Sequence, residues 1–374
     1  MGSSKRTILV TGATGKQGRA LVHSLLGASP GSAAVVPSLP DGAAESADRP
    51  SQSQSGKSGD EIEWNILALT RSASSPRSRA LLLPTATTRH KISLVEGDLA
   101  DRARIRAIFE DAAKAGAPIW GVYVVLAYPG LGSRSDVEKE QGKMLADLAL
   151  EFHVEAFVYS SAIPVGPRPD DSHDYSHQTK RELEKYCQEL GERGLNWIIL
   201  RPGFFMENFD GFLGSIAVTL LREGLKKETT ISMIASDDIG KAAAGVFANH
   251  EKYLRKILCL TSGPVTIREV IAAHQRATGK PMPAVPALLG KLLLRINKAS
   301  QNIVKEMNRS HEVRTNGEYP AFDSEVQLAE SVHKMQTYEE WKRSMAAAGA
   351  QPAAETMDGG WNKVSVFKLF TGRS

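Results

Sequence analysis

Apolar runs of strand length alternate with stretches of helical period through the first half of the chain. Arg6–Thr11 is a short, mostly apolar run of the kind buried on both faces of a parallel sheet, and a helix is expected from Lys16 to Gly27. WNILALTR supplies a second strand ending at Arg71, and Ile92–Glu96 a third. Trp120–Tyr128 is the fourth, AFVYSS the fifth and NWIILRPG the sixth. ARIRAIFEDAAKAG, VEKEQGKMLADLALEFH and KRELEKYCQELGERG place helices in the gaps. This alternation predicts right-handed βαβ crossovers and a doubly wound parallel sheet.

After Pro202 the pattern loosens. ISMIASDDIGKAAAGVFANH reads as a strand, an N-cap within Ser236–Asp238 and an Ala-rich helix. ILCLTSGPVTIREVIAAHQRATGKPMP reads as a strand, a turn and a further capped helix. This later half is expected to fold back over the carboxyl edge of the sheet, where open α/β proteins bind ligands. Val285–Met307 has an apolar face at helical spacing, read as core packing, with a pocket wall or a partner interface such as a homodimer contact as the alternatives.

Two stretches break the pattern. Residues 28–61 are rich in Ser, Ala, Pro, Gly and Asp and lack periodicity, so they predict a disordered insertion unable to offset its ordering entropy. A tail of low complexity begins near Pro352 and ends in WNKVSVFKLF, an edge strand or packed extension.

Composition narrows the function classes. With 374 residues, 42% of them hydrophobic and 24% charged, the chain has the makeup of a soluble enzyme. A net charge of +4 gives no case for nucleic-acid binding. Cys187 and Cys259 have no metal-ligand or redox-pair spacing and are expected to be buried thiols without a structural metal. The absence of an apolar leader or a membrane-length run, and Arg6 where a myristoylation signal needs Ser or Thr, point to no membrane partner and to the cytoplasm.

TGATGKQG carries the first chemistry. Gly12, Gly15 and Gly18 follow a strand and open a helix, the context of a dinucleotide fingerprint. Glycine there permits close backbone approach, and the N–H groups at the helix start favour a pyrophosphate. Thr14, Lys16 and Gln17 belong to the same loop. The second strand ends in Arg71 with no nearby carboxylate. Guanidinium matches phosphate in geometry and charge, so NADP(H) is expected over NAD(H), with Lys16 assisting.

TGATGKQG, LTR before a Ser-rich turn, EGDLAD, YSS, LRPGFFMENF and DDIGKAAAGVF occur in this order. Together they resemble the NmrA-like family of atypical short-chain dehydrogenase/reductases, particularly its fungal members. The likeness runs from about Lys5 to Trp341, the insertion apart. It implies a Rossmann-type domain over 5–202 and a smaller, mostly helical C-terminal substrate region over 203–345, leaving 346–374 as a tail. The family holds NADPH-dependent reductases, often of secondary metabolism, and regulators that bind NAD(P) without turnover. An aromatic or polyketide-type small molecule is the implied substrate. A nonenzymatic NAD(P) sensor and a non-redox isomerase, dehydratase or cyclase are the alternatives.

The resemblance also assigns residues. Asp98 would meet the adenine, while Leu126, Ala127, Tyr128 and Pro129 would flank the cofactor. Pro202, Gly203 and Phe204 would line the nicotinamide. Tyr128, Ser161, Phe205, Met206 and Asn208 would contact substrate. Ser161 falls at the short-chain dehydrogenase serine, and Lys180 matches the family lysine that holds the nicotinamide ribose. The residue four before Lys180 is Ser176, where the usual pattern has Tyr and family members commonly have His. Residues i and i+4 lie roughly 40° apart around a helix, and i and i+5 roughly 140°. A helix that already includes Tyr175 therefore turns that position away from Lys180, whereas His177 shares its face. Tyr175 and His177 are both candidate acids. Asp237 and Asp238 are read as helix caps rather than metal ligands.

Overall fold

The computed structural model describes residues 4–27, 62–82, 89–127, 136–166 and 175–347. The expected insertion and the tail beyond Ala347 lie outside the described residues, as does Tyr128. Strand β1 (Lys5–Val10) leads through the glycine loop into α1 (Lys16–Leu25). There follow β2 (Glu63–Thr70), a short α2 (Pro76–Ala80), β3 (Lys91–Glu96), α3 (Arg102–Lys114) and β4 (Ile119–Val124). Helix α4 (Asp136–Glu151), β5 (Ala156–Ser160), α5 (Tyr175–Gly191) and β6 (Trp197–Pro202) complete the alternating half. Two ends differ from expectation: β4 stops at Val124, and α5 starts well before Lys180.

These six strands and a seventh, β9 (Ile257–Leu260), form one parallel sheet in the order β3-β2-β1-β4-β5-β6-β9. Both faces are covered, which is why the strands read as continuous apolar runs. Ile8, Val10, Ile66 and Tyr123 face α1, whereas Leu9, Val122, Val124 and Phe157 face α3, α4 and α5. The order reverses between β1 and β4. That switch point opens a crevice at the carboxyl edge, the place where such sheets take ligands.

The later half is interleaved with the sheet. After β7 (Phe204–Phe205), α6 (Gly211–Gly224) and β8 (Thr230–Ile234), helix α7 (Ser236–Ala248) returns to lie on α1. The approach is so close that a Cβ at Gly240 would stand 2.3 Å from the Ala20 carbonyl carbon. A short α8 (His250–Tyr253) leads into β9, and β10 (Pro264–Thr266) pairs antiparallel with β8. Helices α9 (Ile267–Thr278), α10 (Ala287–Ile296), α11 (Lys298–Thr315), α12 (Phe322–Glu330) and α13 (Tyr338–Ala347) follow. The stretch read as one amphipathic unit over Val285–Met307 is two helices. Buried Asn297 breaks it, its side chain accepting the Ser300 N–H at 2.8 Å to cap α11.

The expected capping by Asp237 and Asp238 is corrected. Ala235 is the N-cap of α7, without a side-chain hydrogen bond, and both aspartates lie inside the first turn. Asp238 is fully buried and instead anchors the chain before α13. It accepts from His333 Nε2 at 2.9 Å, the Gln336 N–H at 2.7 Å and the Gln336 side chain at 3.0 Å.

Candidate functional site

The glycine loop is built for close approach from above. Gly12 has φ +56°, a conformation other residues rarely adopt, and its carbonyl accepts the Gly15 N–H at 2.9 Å. A Cβ at Gly18 would stand 2.3 Å from that carbonyl oxygen, so helix and loop can meet only through glycine. Gly15 caps α1 without a side chain, and no carboxylate occupies the first turn. The helix start therefore offers free donors and a positive end to an anion. The neighbouring α7 is different, because the Glu207 carboxylate already occupies its start.

Hydrogen bonds fix this mouth. The Thr11 hydroxyl bridges β1 to β4, donating towards the Tyr123 and Val125 carbonyls and accepting the Val125 N–H at 2.9 Å. Gln17 is held by Tyr123 at 3.2 Å and by the Ser160 hydroxyl at 2.6 Å. It is thus Ser160, not Ser161, that faces the glycine loop. Thr14 is half-buried, while Gly12, Gly15 and Lys16 are exposed.

The end of β2 carries a cation. Arg71 is exposed just past β2 and has no side-chain partner among the described residues. The Ser-rich turn behind it is tightly bonded. Thr70 and Ser78 hydroxyls lie 2.8 Å apart, Ser78 donates to the Ser72 carbonyl at 2.7 Å, and Ser75 caps α2. Asp98 holds its own turn by accepting the Ala100 N–H at 2.9 Å. Leu126 is buried and Ala127 exposed beyond β4.

The expected reaction residues have internal partners. Lys180 Nζ donates to Glu138 of α4, a carboxylate almost wholly buried. Ser161 is buried and donates to Glu184 Oε1 at 2.6 Å. Glu184 also binds buried Arg201, which reaches Tyr319 and Glu325 on the C-terminal side. Burial disfavours a charged guanidinium, yet these carboxylates outweigh it and raise the Arg201 pKa. A cavity of about 50 Å³ beside Arg201 and Tyr319 has room for water but not for a dinucleotide.

Helix α5 includes Tyr175 in its backbone, which sets positions 175 and 180 on different faces; the side chains of Tyr175 and Ser176 lie outside the described atoms. His177 shares the Lys180 face, and its Nδ1 lies 3.3 Å from Glu306 Oε2 of α11. Pro202 is buried, with Gly203 and Phe204 half-buried beyond it. Met206, expected in a substrate pocket, is fully buried in the C-terminal core, and Phe205 packs on the sheet cluster. Asn208 is half-buried and carries no side-chain hydrogen bond among the described residues.

Glu138, Glu184, Arg201 and Glu207 escaped sequence reasoning. Only Arg201 left a signal: an arginine inside an apolar strand requires a buried carboxylate. Both thiols are buried as expected, the Cys187 pKa pushed up to about 12 by burial and then Glu184. Among the described residues, no helix is long and apolar enough to cross a membrane, and no metal-holding cluster occurs.

Known proteins resemble this chain in sequence or fold. The NmrA-like oxidoreductase ptmS of Penicillium ochrochloron is 22% identical over 306 residues, 77% of this chain and 78% of that protein. NmrA, a negative transcriptional regulator solved with NADP, superposes with TM-score 0.57 at 17% identity, covering 95% of this chain and all of NmrA. The Escherichia coli quinone oxidoreductase QOR2 with NADPH gives TM-score 0.57 at 18% identity, over 91% and 99% of the two chains. At such identities the solved structures speak for the fold. The model of the NmrA-like family matches residues 57–343, and the chain belongs to that family.

Proposed function

We propose that the protein is an NADPH-dependent reductase of an aromatic or polyketide-type small molecule, in the manner of a secondary-metabolism enzyme. One observation carries the reading. An uncapped helix start at the switch point and an unpartnered arginine past β2 supply the two anion sites of a phosphorylated dinucleotide. The printed names of ptmS as an oxidoreductase and of QOR2 as an NADPH-dependent quinone oxidoreductase support it.

The site's residues fit NADPH by donor set and by the space its glycines leave. Gly12, Thr14, Gly15, Lys16, Gln17 and Gly18 hold the pyrophosphate, Arg71 the 2′-phosphate and Asp98 the adenine. Leu126, Ala127, Pro202, Gly203 and Phe204 flank the remainder, and Lys180, steadied by Glu138, holds the ribose. When bound, NADPH supplies hydride. His177, on the Lys180 face with Nδ1 3.3 Å from the Glu306 carboxylate, is the proton donor in this reading. Asn208 orients the substrate, and Ser161 acts through Glu184 as a positioning residue.

A second reading, a nonenzymatic dinucleotide sensor, draws on the carboxylate partners that Lys180 and Ser161 already have. NADPH consumption against quinones and aromatic ketones, paired with Lys180→Ala, separates the two. A reductase loses at least about tenfold in kcat in that variant, in line with losing one hydrogen bond to a charged group. Tight NADPH binding with no turnover on any of them supports the sensor.

A further inference from the structure

Helix α10 has two unlike faces. Gly290 and Leu293 are buried against α6, where a Cβ at Gly290 would stand 2.6 Å from the Thr219 methyl group. Leu288, Leu292 and Ile296 are instead 80%, 47% and 52% exposed. Their i, i+4, i+8 spacing aligns them on one face over about 12 Å of helix. Single exposed aliphatics are ordinary, but three in a row make a patch. The start of α6 lies beside the start of α10, the Ser215 carbonyl accepting the Val285 N–H at 3.4 Å, and exposed Phe212 stands at that end. Cations accompany the patch. Lys291 and Arg295, each three residues after an exposed leucine, are exposed, and exposed Lys298 follows. Lys291 lies 3.9 Å from Glu223, and Arg295 and Lys298 carry no ion pair among the described residues. The surrounding sequence is one-sided, since residues 270–305 hold six Lys or Arg and no Asp or Glu.

Whatever covers this face must offer apolar surface and negative charge together. A second copy meeting it about a two-fold axis would set cations against cations. An acidic helix of another protein is received by a groove, whereas Leu288 projects from the surface. An anionic bilayer meets both needs, with phosphates for the cations and an acyl boundary for the aliphatic side chains. We infer that the outer face of α10 is a peripheral contact site for an anionic phospholipid surface. Leu288, Leu292 and Ile296 enter the boundary of the acyl layer, and Lys291, Arg295 and Lys298 meet the lipid phosphates. Among the described residues no helix is long and apolar enough to cross a membrane, so the contact is interfacial. Such a contact needs neither a leader nor a span, the two features whose absence spoke against a membrane partner. It stands apart from the reductase reading, because it uses no cofactor-binding residue.

Co-sedimentation of the full chain with vesicles tests it, comparing phosphatidylcholine alone with phosphatidylcholine mixed with phosphatidylserine. The wild type is expected to favour the mixed vesicles by about tenfold or more at low salt, and to be released as salt is raised. Leu288→Ser with Leu292→Ser removes apolar contact, and Arg295→Gln with Lys298→Gln removes charge. Each pair should weaken binding to the mixed vesicles by about tenfold or more. Both should keep the wild-type melting temperature, because all four side chains are exposed. Equal binding to neutral and mixed vesicles, or binding that survives both pairs, overturns the assignment. Failure of the wild type to bind the mixed vesicles also overturns it. A dimer in sedimentation velocity that the leucine pair dissolves then gives the face to a second copy, and a monomer leaves it to a protein partner.

Discussion

Arg71 is exposed and bonded to nothing described, so its charge does no structural work. Its replacement by alanine should leave the melting temperature unchanged while weakening NADPH by about tenfold or more and NADH little, as read by calorimetry. Asp238 is the opposite case. Burial pushes its pKa up, but hydrogen bonds from His333 and Gln336 and the charge of Lys241 outweigh burial and hold it below the usual range. A folded pKa below the unfolded one stabilises the protein above the unfolded value of about 3.9, and the benefit is lost as pH falls through the folded value. Asp238→Asn should therefore cost about 2 kcal/mol near neutral pH and flatten the acid limb of a denaturation curve. The exposure of Arg71 was legible, because a charged residue just past an apolar strand belongs in solvent, though a merely solvated arginine looks the same in sequence. The role of Asp238 was not, since a carboxylate at a helix start looks like a cap whatever distant partner it binds.

Element by element, the apolar runs foretold the strands well, because parallel strands buried on both faces show little else. Helix starts were harder to read: α5 begins at Tyr175 within a polar stretch, and the short α2 after the Ser-rich turn has no apolar period. That start matters chemically, since it sets His177 rather than Tyr175 on the Lys180 face. The contact between α1 and α7 depends on Gly240, and a Cβ there would strike the backbone at Ala20. Gly240→Ala should destabilise the fold by about 3 kcal/mol through overpacking, measured by urea unfolding. It should also weaken cofactor binding, because α1 would move.

At the scale of the molecule, the division of the chain into a sheet half and a C-terminal half does not describe how it is held together. Helix α7, strand β9 and helix α12 all come from the later half and all pack on the sheet. Arg201 joins α5 to Tyr319 and Glu325 across the same boundary. Arg201→Met should cost about 3 kcal/mol or more by leaving Glu184 without its buried cation, and unfolding should remain a single transition. The seventh strand was visible as ILCL, but its place at the sheet edge rests on a return of the chain that no local pattern encodes. The same long-range pairing hid Glu138 and Glu184, whose importance lies in what they hold. In the proposed reaction, hydride leaves the bound dinucleotide for a small molecule. Single-turnover reaction with NADPH deuterated at C4 of the nicotinamide, followed by mass spectrometry of the alcohols formed from aromatic ketones, where the label stays on carbon, tests it. Deuterium is expected in the reduced product, lost or much slowed in Lys180→Ala; tight binding of NADPH with no label in any product would contradict hydride transfer.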